Sequence, residues 1–345
     1  MQKKVSVKDI AEELNISLST VHKALTGKCG ISEARRREVL DTAKRMGYVV
    51  NPIAQSLARK NIRIGIIIPS KWKEYFSQMK AGIEKEILSL QKYKVEGCFY
   101  FLNSHFSKQE EKNIINWLKS ESIDALIYCP SIYSFEEDLF HSIKKIGIPV
   151  FFAGDTFDNV ESISEITTDS QMSGKLAADF LNCIYPKGIR AAVLTGSLKM
   201  KPHKLKTDAF NERIKMRGGR IICVCETDDD EVKTYEYIDE ICHQGIDALY
   251  VSTATSLPVC KYFEDKGIKD EITLICTDVF DELKYYMKKG IVKATIYQNQ
   301  EEIGKKAVRA AYEYFVNKNS YGGELVEAEP LITVKPRLYL LADIE

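Results

Sequence analysis

A chain of 345 residues exceeds the usual size of one domain, and 45% hydrophobic with 28% charged residues describes an ordinary globular protein with a sizeable core, which excludes a disordered or fibrous chain. The 49 Lys/Arg and 49 Asp/Glu cancel to a formal net charge of zero, but unevenly: residues 1–63 hold 13 basic against 6 acidic side chains, leaving 36 against 43 for the rest. A cationic module tied to an anionic body is the pattern of a polyphosphate binder with a second, separate task.

In chain order, Ser6 followed by Asp9 makes a capping-box-like start to a first helix, whose Val7, Ile10, Ala11 and Leu14 share one face. Asn15 and Ile16 make a tight turn, Ser17 caps a second helix with Val21, Ala24 and Leu25 inside, and Gly27 ends it. Ser32 caps a third helix, with Ala34, Val39, Ala43 and Met46 on its inner face and Arg35, Arg36, Arg37, Lys44 and Arg45 outside. Two short helices joined so tightly predict a helix-turn-helix, whose second helix presents Leu18, Ser19, His22 and Lys23 to the bases and phosphates of double-stranded DNA. A three-helix bundle serving protein contacts is the plainer alternative. Next comes GYVVNPIAQSLARK, where Pro52 fixes φ and Asn51 can cap a helix reaching about residue 59, too short to be stable alone in water. Its Ile53, Ala54 and Leu57 could pair with a copy of themselves, leaving a leucine to wedge between base steps in the minor groove.

DIAEELNISLSTVHKAL, the GYVVNP turn and AQSLARK resemble, in order and spacing, the headpiece and hinge helix of the LacI/GalR family of bacterial repressors. The resemblance implies operator-reading roles for Leu18, Ser19 and Lys23, and a wedge role for Leu57 at the centre of a palindromic operator. The DNA-facing set it suggests is Ser6, Ser17, Leu18, Ser19, Thr20, His22, Lys23, Asn51, Ala54, Leu57 and Ala58. His22 departs from the family pattern, which usually has serine there.

From Arg63 onward, short apolar runs such as RIGIIIP, VEGCFYFL, IDALIYC and IPVFFAG alternate with helical patterns, and a second series follows from IRAAVLTG to KATIYQ. Such alternation predicts parallel sheets with right-handed crossovers, and two series predict two doubly wound α/β subdomains behind a small all-α helix-turn-helix domain. The near-matching IDAL at Ile123 and Ile246 hints at a repeated unit. The expected divisions are a headpiece at 1–50, a hinge at 51–62, and an effector domain at 63–345. That domain divides into about 63–160 plus 294–322, and 163–292 plus 323–340.

This stretch resembles the effector domain of the same family, itself similar to periplasmic sugar-binding proteins, over essentially all of residues 63–340. Ligands of open parallel sheets sit beyond the strands' carboxyl ends, so strand-end residues are the effector candidates: Ser70, Lys71, Trp72 and Phe76, then Asp155, Lys206, Asp278 and Gln298. Carboxylates and amides for hydroxyls, with a ring against the apolar face of a sugar, are the usual chemistry of such a pocket. Thr253-Ala254 replaces the family's common Asn-Asp pair, and Lys206 its common arginine, a point charge in place of a planar fork. The basic run KMKPHKLK, ending at Lys206, gives weight to an acidic or phosphorylated sugar beside a neutral one, with a solvated basic loop an equal alternative.

No enzyme is expected. GxSxG and GxGxxG are absent, and Gly174-Lys175 lacks the upstream glycine of a P-loop. The histidines His22, His105, His141, His203 and His243 show no zinc spacing, and no cofactor is implied. Nine scattered cysteines read as reduced core thiols, and no run approaches the ~20 apolar residues of a membrane span. The expectation is a cytoplasmic, homodimeric, allosteric DNA-binding repressor switched by a sugar-like effector. A sugar sensor whose N-terminal helices hold proteins, or an α/β enzyme with an unrecognised site, are the alternatives.

Overall fold

The computed structural model describes residues 5–25, 30–48, 61–70, 73–102, 107–130, 137–155, 160–320 and 328–344. It opens with three helices, α1 (Val7–Glu13), α2 (Leu18–Leu25) and α3 (Glu33–Arg45). The start of α1 is a full capping box: the Asp9 amide donates to Ser6 Oγ at 3.4 Å, and the Ser6 amide donates to Asp9 Oδ2 at 2.6 Å. Asn15, at φ 49°, makes the turn into α2, in the left-handed region that asparagine tolerates better than most residues. Ile10, Val21, Ala24 and Val39 are fully buried at the centre of the bundle, and Arg45 of α3 pairs with Glu13 of α1 at 2.8 Å.

One expected face is rotated. Arg36, assigned to the outside of α3, is only 7% exposed, whereas Ala34, assigned inside, is exposed. At 100° per residue, Arg36 shares its stripe with Val39, Leu40 and Ala43. Its stem lies along the core while the guanidinium comes within 3.5 Å of Glu33 at the surface. Gly27 and the hinge stretch, with Asn51, Ala54, Leu57 and Ala58, lie outside the described residues.

The body holds two six-stranded sheets. In the first, β1 (Ile62–Pro69), β2 (Val95–Leu102), β3 (Ala125–Tyr128), β4 (Val150–Ala153), β5 (Ser164–Thr168) and β11 (Leu331–Val334) run in the order β11-β5-β4-β3-β1-β2. The second contains β6 (Arg190–Thr195), β7 (Arg220–Glu226), β8 (Ala248–Val251), β9 (Thr273–Thr277), β10 (Val292–Tyr297) and β12 (Arg337–Tyr339), in the order β12-β10-β9-β8-β6-β7. All neighbours are parallel except β10 and β12. Helices α4 (Lys73–Leu90), α5 (Lys108–Ser120), α6 (Glu137–Ile146) and α12 (Gln300–Ser320) cover the first sheet; α7 (Ser170–Ile184), α8 (Lys201–Met216), α9 (Glu231–Cys242), α10 (Ser256–Lys266) and α11 (Asp281–Lys288) cover the second. Strands buried on both faces read as continuous apolar runs, which is why Ile64, Ile66, Ile67, Ala192, Val193 and Leu194 are all inaccessible.

The crossings between subdomains differ from those expected. β5 and β11 belong to the first sheet, although 163–292 and 323–340 were assigned to the second half, and residues 294–297 close the second sheet, not the first. Sheet membership depends on distant hydrogen-bond partners, which local sequence does not encode. Along the C-terminal run Pro336, without an N–H and with φ fixed, ends the pairing with β5, and β12 resumes on β10. The crossings are stitched together, with Thr168 Oγ1 donating to the Gln298 carbonyl and the Asp169 amide to the Val334 carbonyl, each at 2.9 Å.

Of the described cysteines, all free thiols, Cys129, Cys260 and Cys276 are core residues, but Cys183 is exposed. Among the described residues no helix is long and apolar enough to cross a membrane.

Candidate functional site: an interdomain cleft and a helical headpiece

The carboxyl ends of both sheets face a cleft. From the first subdomain come Tyr75 and Phe76 in the first turns of α4, Pro130 beyond β3, and Asp155 beyond β4. The second contributes Pro202, His203 and Lys206 from α8, Asp229 beyond β7, Thr253 and Ala254 beyond β8, Asp278 beyond β9, and Gln298 beyond β10. Gln78 of α4 bridges the subdomains beside it, donating to the Val279 carbonyl at 2.5 Å. The space within it is about 70 Å³, below the roughly 300–1,000 Å³ of small-molecule sites. A larger depression of about 660 Å³ lies at the opposite, amino-terminal edge of the first sheet, around Phe140, Val150 and Tyr314. Its Lys144 and Glu161 pair with each other at 2.5 Å.

Lys206 is 3% exposed, with Nζ donating to the Ser252 carbonyl at 2.9 Å and to Gln298 Oε1 at 3.3 Å. The Gln298 amide donates in turn to Asp278 Oδ1 at 2.8 Å, and Gln300 donates to the same oxygen at 2.5 Å. The Thr253 hydroxyl donates to Asp229. Asp229 and Asp278 both hold left-handed backbone, at φ 53° and 74°. Such strain in non-glycine residues concentrates at ligand sites. Gly154, at φ 100°, lets Tyr75 in: a Cβ there would stand 3.1 Å from the Tyr75 hydroxyl.

Burial sets the charge states. It pushes the Asp278 carboxyl up to about 6, against the amides of Gln298 and Gln300 and the charge of Lys206. Asp155 is raised by burial too, although His203 and Lys206 oppose it. Burial lowers both Lys206 and His203, while Asp278, Asp155 and Asp229 hold the lysine up and Asp229 and Asp155 the histidine. The Tyr75 phenol is raised well above its ordinary value, first by burial and then by Asp155.

Of the strand-end residues read from the sequence, the cleft gathers Phe76, Asp155, Lys206, Thr253, Asp278 and Gln298. Ser70 stands apart: it extends the β1–β2 ladder, with its amide and hydroxyl donating to the Leu102 carbonyl at 2.9 and 3.1 Å. Lys71 and Trp72 lie outside the described residues. Of the basic run, Pro202, His203 and Lys206 line the cleft, while Lys204 turns away to pair with Asp208 at 2.8 Å. Sequence reading passed over Tyr75, Gln300 and Asp229. Asp229 follows β7, and the strand-end rule applied there would have found it.

In the headpiece, Ser17 and Thr20 are engaged with each other at 2.8 Å, and the Thr20 amide donates to Ser17 Oγ at 3.1 Å. Ser6 is likewise held in its capping box. Leu18 is 44% exposed, an isolated apolar side chain at the start of α2, with Ser19 and His22 also exposed. Lys23 is half-buried, its Nζ lying 3.4 Å from the position a Cβ would take on Gly30.

The periplasmic binding protein domain family matches residues 64–319. Catabolite control protein A of Priestia megaterium is 24% identical over 334 residues, covering 94% of this chain and 96% of that protein. The Lac repressor dimer bound to operator and the anti-inducer ONPF aligns with TM-score 0.62 over 98% of both chains, at 18% identity. An ABC transporter solute-binding protein from Bacillus halodurans C-125 with bound myo-inositol aligns with TM-score 0.67, at 18% identity, over 82% of this chain and 96% of that one.

Proposed function

The chain belongs to the periplasmic binding protein domain family, with transcription regulators of the LacI/GalR type and solute-binding proteins, not enzymes, as its relatives, and on that premise we propose that it is a sequence-specific DNA-binding regulator switched by a small ligand. The observation that carries the reading is the pairing, in one chain, of a helix-turn-helix whose α2 exposes Leu18, Ser19 and His22 with an interdomain cleft of convergent polar groups. Two copies place their α2 helices in successive major-groove half-sites of a palindromic operator. Effector binding changes the angle between subdomains at the stitched crossings and so the spacing of the two hinges. The protein is a cytoplasmic homodimer that represses.

Selection from random duplexes by the full chain tests this. Enrichment of a palindrome whose half-sites are read by α2 is the expected outcome. Equal affinity for all duplexes at physiological salt would leave only a cytoplasmic ligand sensor.

A further inference from the structure

We propose that the cleft takes a ligand carrying a protonated amine on a polyhydroxylated, sugar-sized frame. This rests on the reading of the cleft as the effector site and names the chemistry of that effector.

Among the described residues lining the cleft, three carboxylates, Asp155, Asp229 and Asp278, face one ammonium, Lys206, and one imidazole, His203. Two N–H groups of Lys206 already point into the wall, at Ser252 and Gln298. Burial favours the neutral form of His203. The carboxylates, by contrast, keep open acceptor oxygens. Asp278 is 4% exposed, and both its amide donors meet Oδ1, so Oδ2 receives no hydrogen bond from a described residue. The Asp155 carboxylate receives none from any described residue either, and both side chains line the cavity.

Closure of the cleft over a ligand strips water from these oxygens, and a desolvated carboxylate needs a cation or several donors. Hydroxyls of a neutral sugar supply donors but leave the surplus negative charge. A phosphate or carboxylate adds to it. An ammonium supplies three donors and the missing charge together, in charge-assisted hydrogen bonds. The edge-to-face pair Tyr75 and Phe76, with centroids 5.0 Å apart, adds aromatic surface on the first subdomain's side.

The test is thermal melting of the full chain at neutral pH with three matched series: hexosamines and amino polyols, their neutral parents, and the corresponding sugar 6-phosphates. An amine should raise the melting temperature where its neutral and phosphorylated counterparts do not. Asp229→Asn, which keeps a residue tolerant of left-handed backbone, should weaken that amine about tenfold by calorimetry, on the order of 1.4 kcal/mol. A larger shift from a neutral or phosphorylated compound than from its amine overturns the proposal, as does the absence of any shift in the amine series. Duplex binding by the same preparation, measured without ligand and with each series, separates the two readings. Specific DNA binding released by a neutral sugar defeats the amine and leaves the regulator standing, whereas loss of all sequence preference defeats the regulator whatever the cleft binds.

Discussion

Gly174 of α7 and Lys206 of α8 meet backbone to backbone: a Cβ on Gly174 would stand 2.1 Å from the Lys206 carbonyl oxygen. The approach seats α8 on α7 and so aims the Lys206 side chain at Ser252 and Gln298. It also accounts for the Gly174-Lys175 pair without any phosphate loop. Gly174→Ala must push the helices apart, and overpacking of this kind costs about 1–3 kcal/mol. A lower urea midpoint with unchanged slope, together with weaker ligand binding, is the expected result. An unaltered midpoint would show that α8 is free to shift.

Lys206 contributes the one lysine charge among the described cleft residues. Lys206→Met keeps the stem and deletes the cation, leaving Asp155, Asp229 and Asp278 to one another. Removal of one member of a buried charge cluster costs on the order of 3 kcal/mol. The carboxyls would rise further without the lysine, so the loss should be larger at about pH 8 than at about pH 5. Denaturation curves at both values check the sign, and an equal loss at both would mean the lysine acts through its packing alone.

Asp278 carries its own pH signature. Its folded carboxyl is raised from 3.8 to about 6, so between those values the folded state binds the proton that the unfolded state has released. Its contribution to stability is therefore fully present below the unfolded value and is lost as pH rises through the folded one, on the order of 3 kcal/mol in all. The difference in unfolding free energy between the parent chain and Asp278→Asn should move against the parent chain from about pH 4 to about pH 7. A flat difference would mean that the amides of Gln298 and Gln300 offset burial.

The helices and strands were legible because their signals are local. Ser6 and Ser32 lie within three residues of the amides they cap, and the buried parallel strands are apolar along their length. Which sheet a strand joins is set by partners far along the chain, as when Leu331 pairs with Glu165, and that was misplaced at β5 and β11. In the cleft, the strand-end rule reached Asp155, Asp278 and Gln298. Asp229 obeys the same rule at the end of β7, but its place in the cleft also depends on a left-handed backbone and on Thr253, 24 residues away.

The rotated face of α3 gives a direct comparison. Arg36 and Arg37 are adjacent and identical in type, yet the first is 7% exposed and the second lies on the surface. Arg36→Ala removes a stem packed on the small headpiece core and should cost about 2 kcal/mol, while Arg37→Ala should stay within about 0.5 kcal/mol. Amide hydrogen exchange across α1 to α3 resolves headpiece stability from that of the body. Equal protection in the two variants would return Arg36 to the outside of the bundle.

On the proposed DNA-binding reading, Lys23 is placed to separate base reading from general attraction to DNA. It sits on α2 one residue from exposed His22, half-buried, with its ammonium near the chain at Gly30. A cation at a base edge discriminates by about 1–3 kcal/mol, whereas a phosphate contact weakens all sequences alike. Lys23→Ala should therefore narrow the gap between the selected palindrome and random duplex by roughly tenfold or more, while the slope of log affinity against log salt drops by at most about one unit. Titrations of both duplexes at several salt concentrations measure the two effects separately. A uniform loss with a full one-unit drop in slope would move Lys23 from the bases to the backbone and leave sequence reading to Leu18, Ser19 and His22.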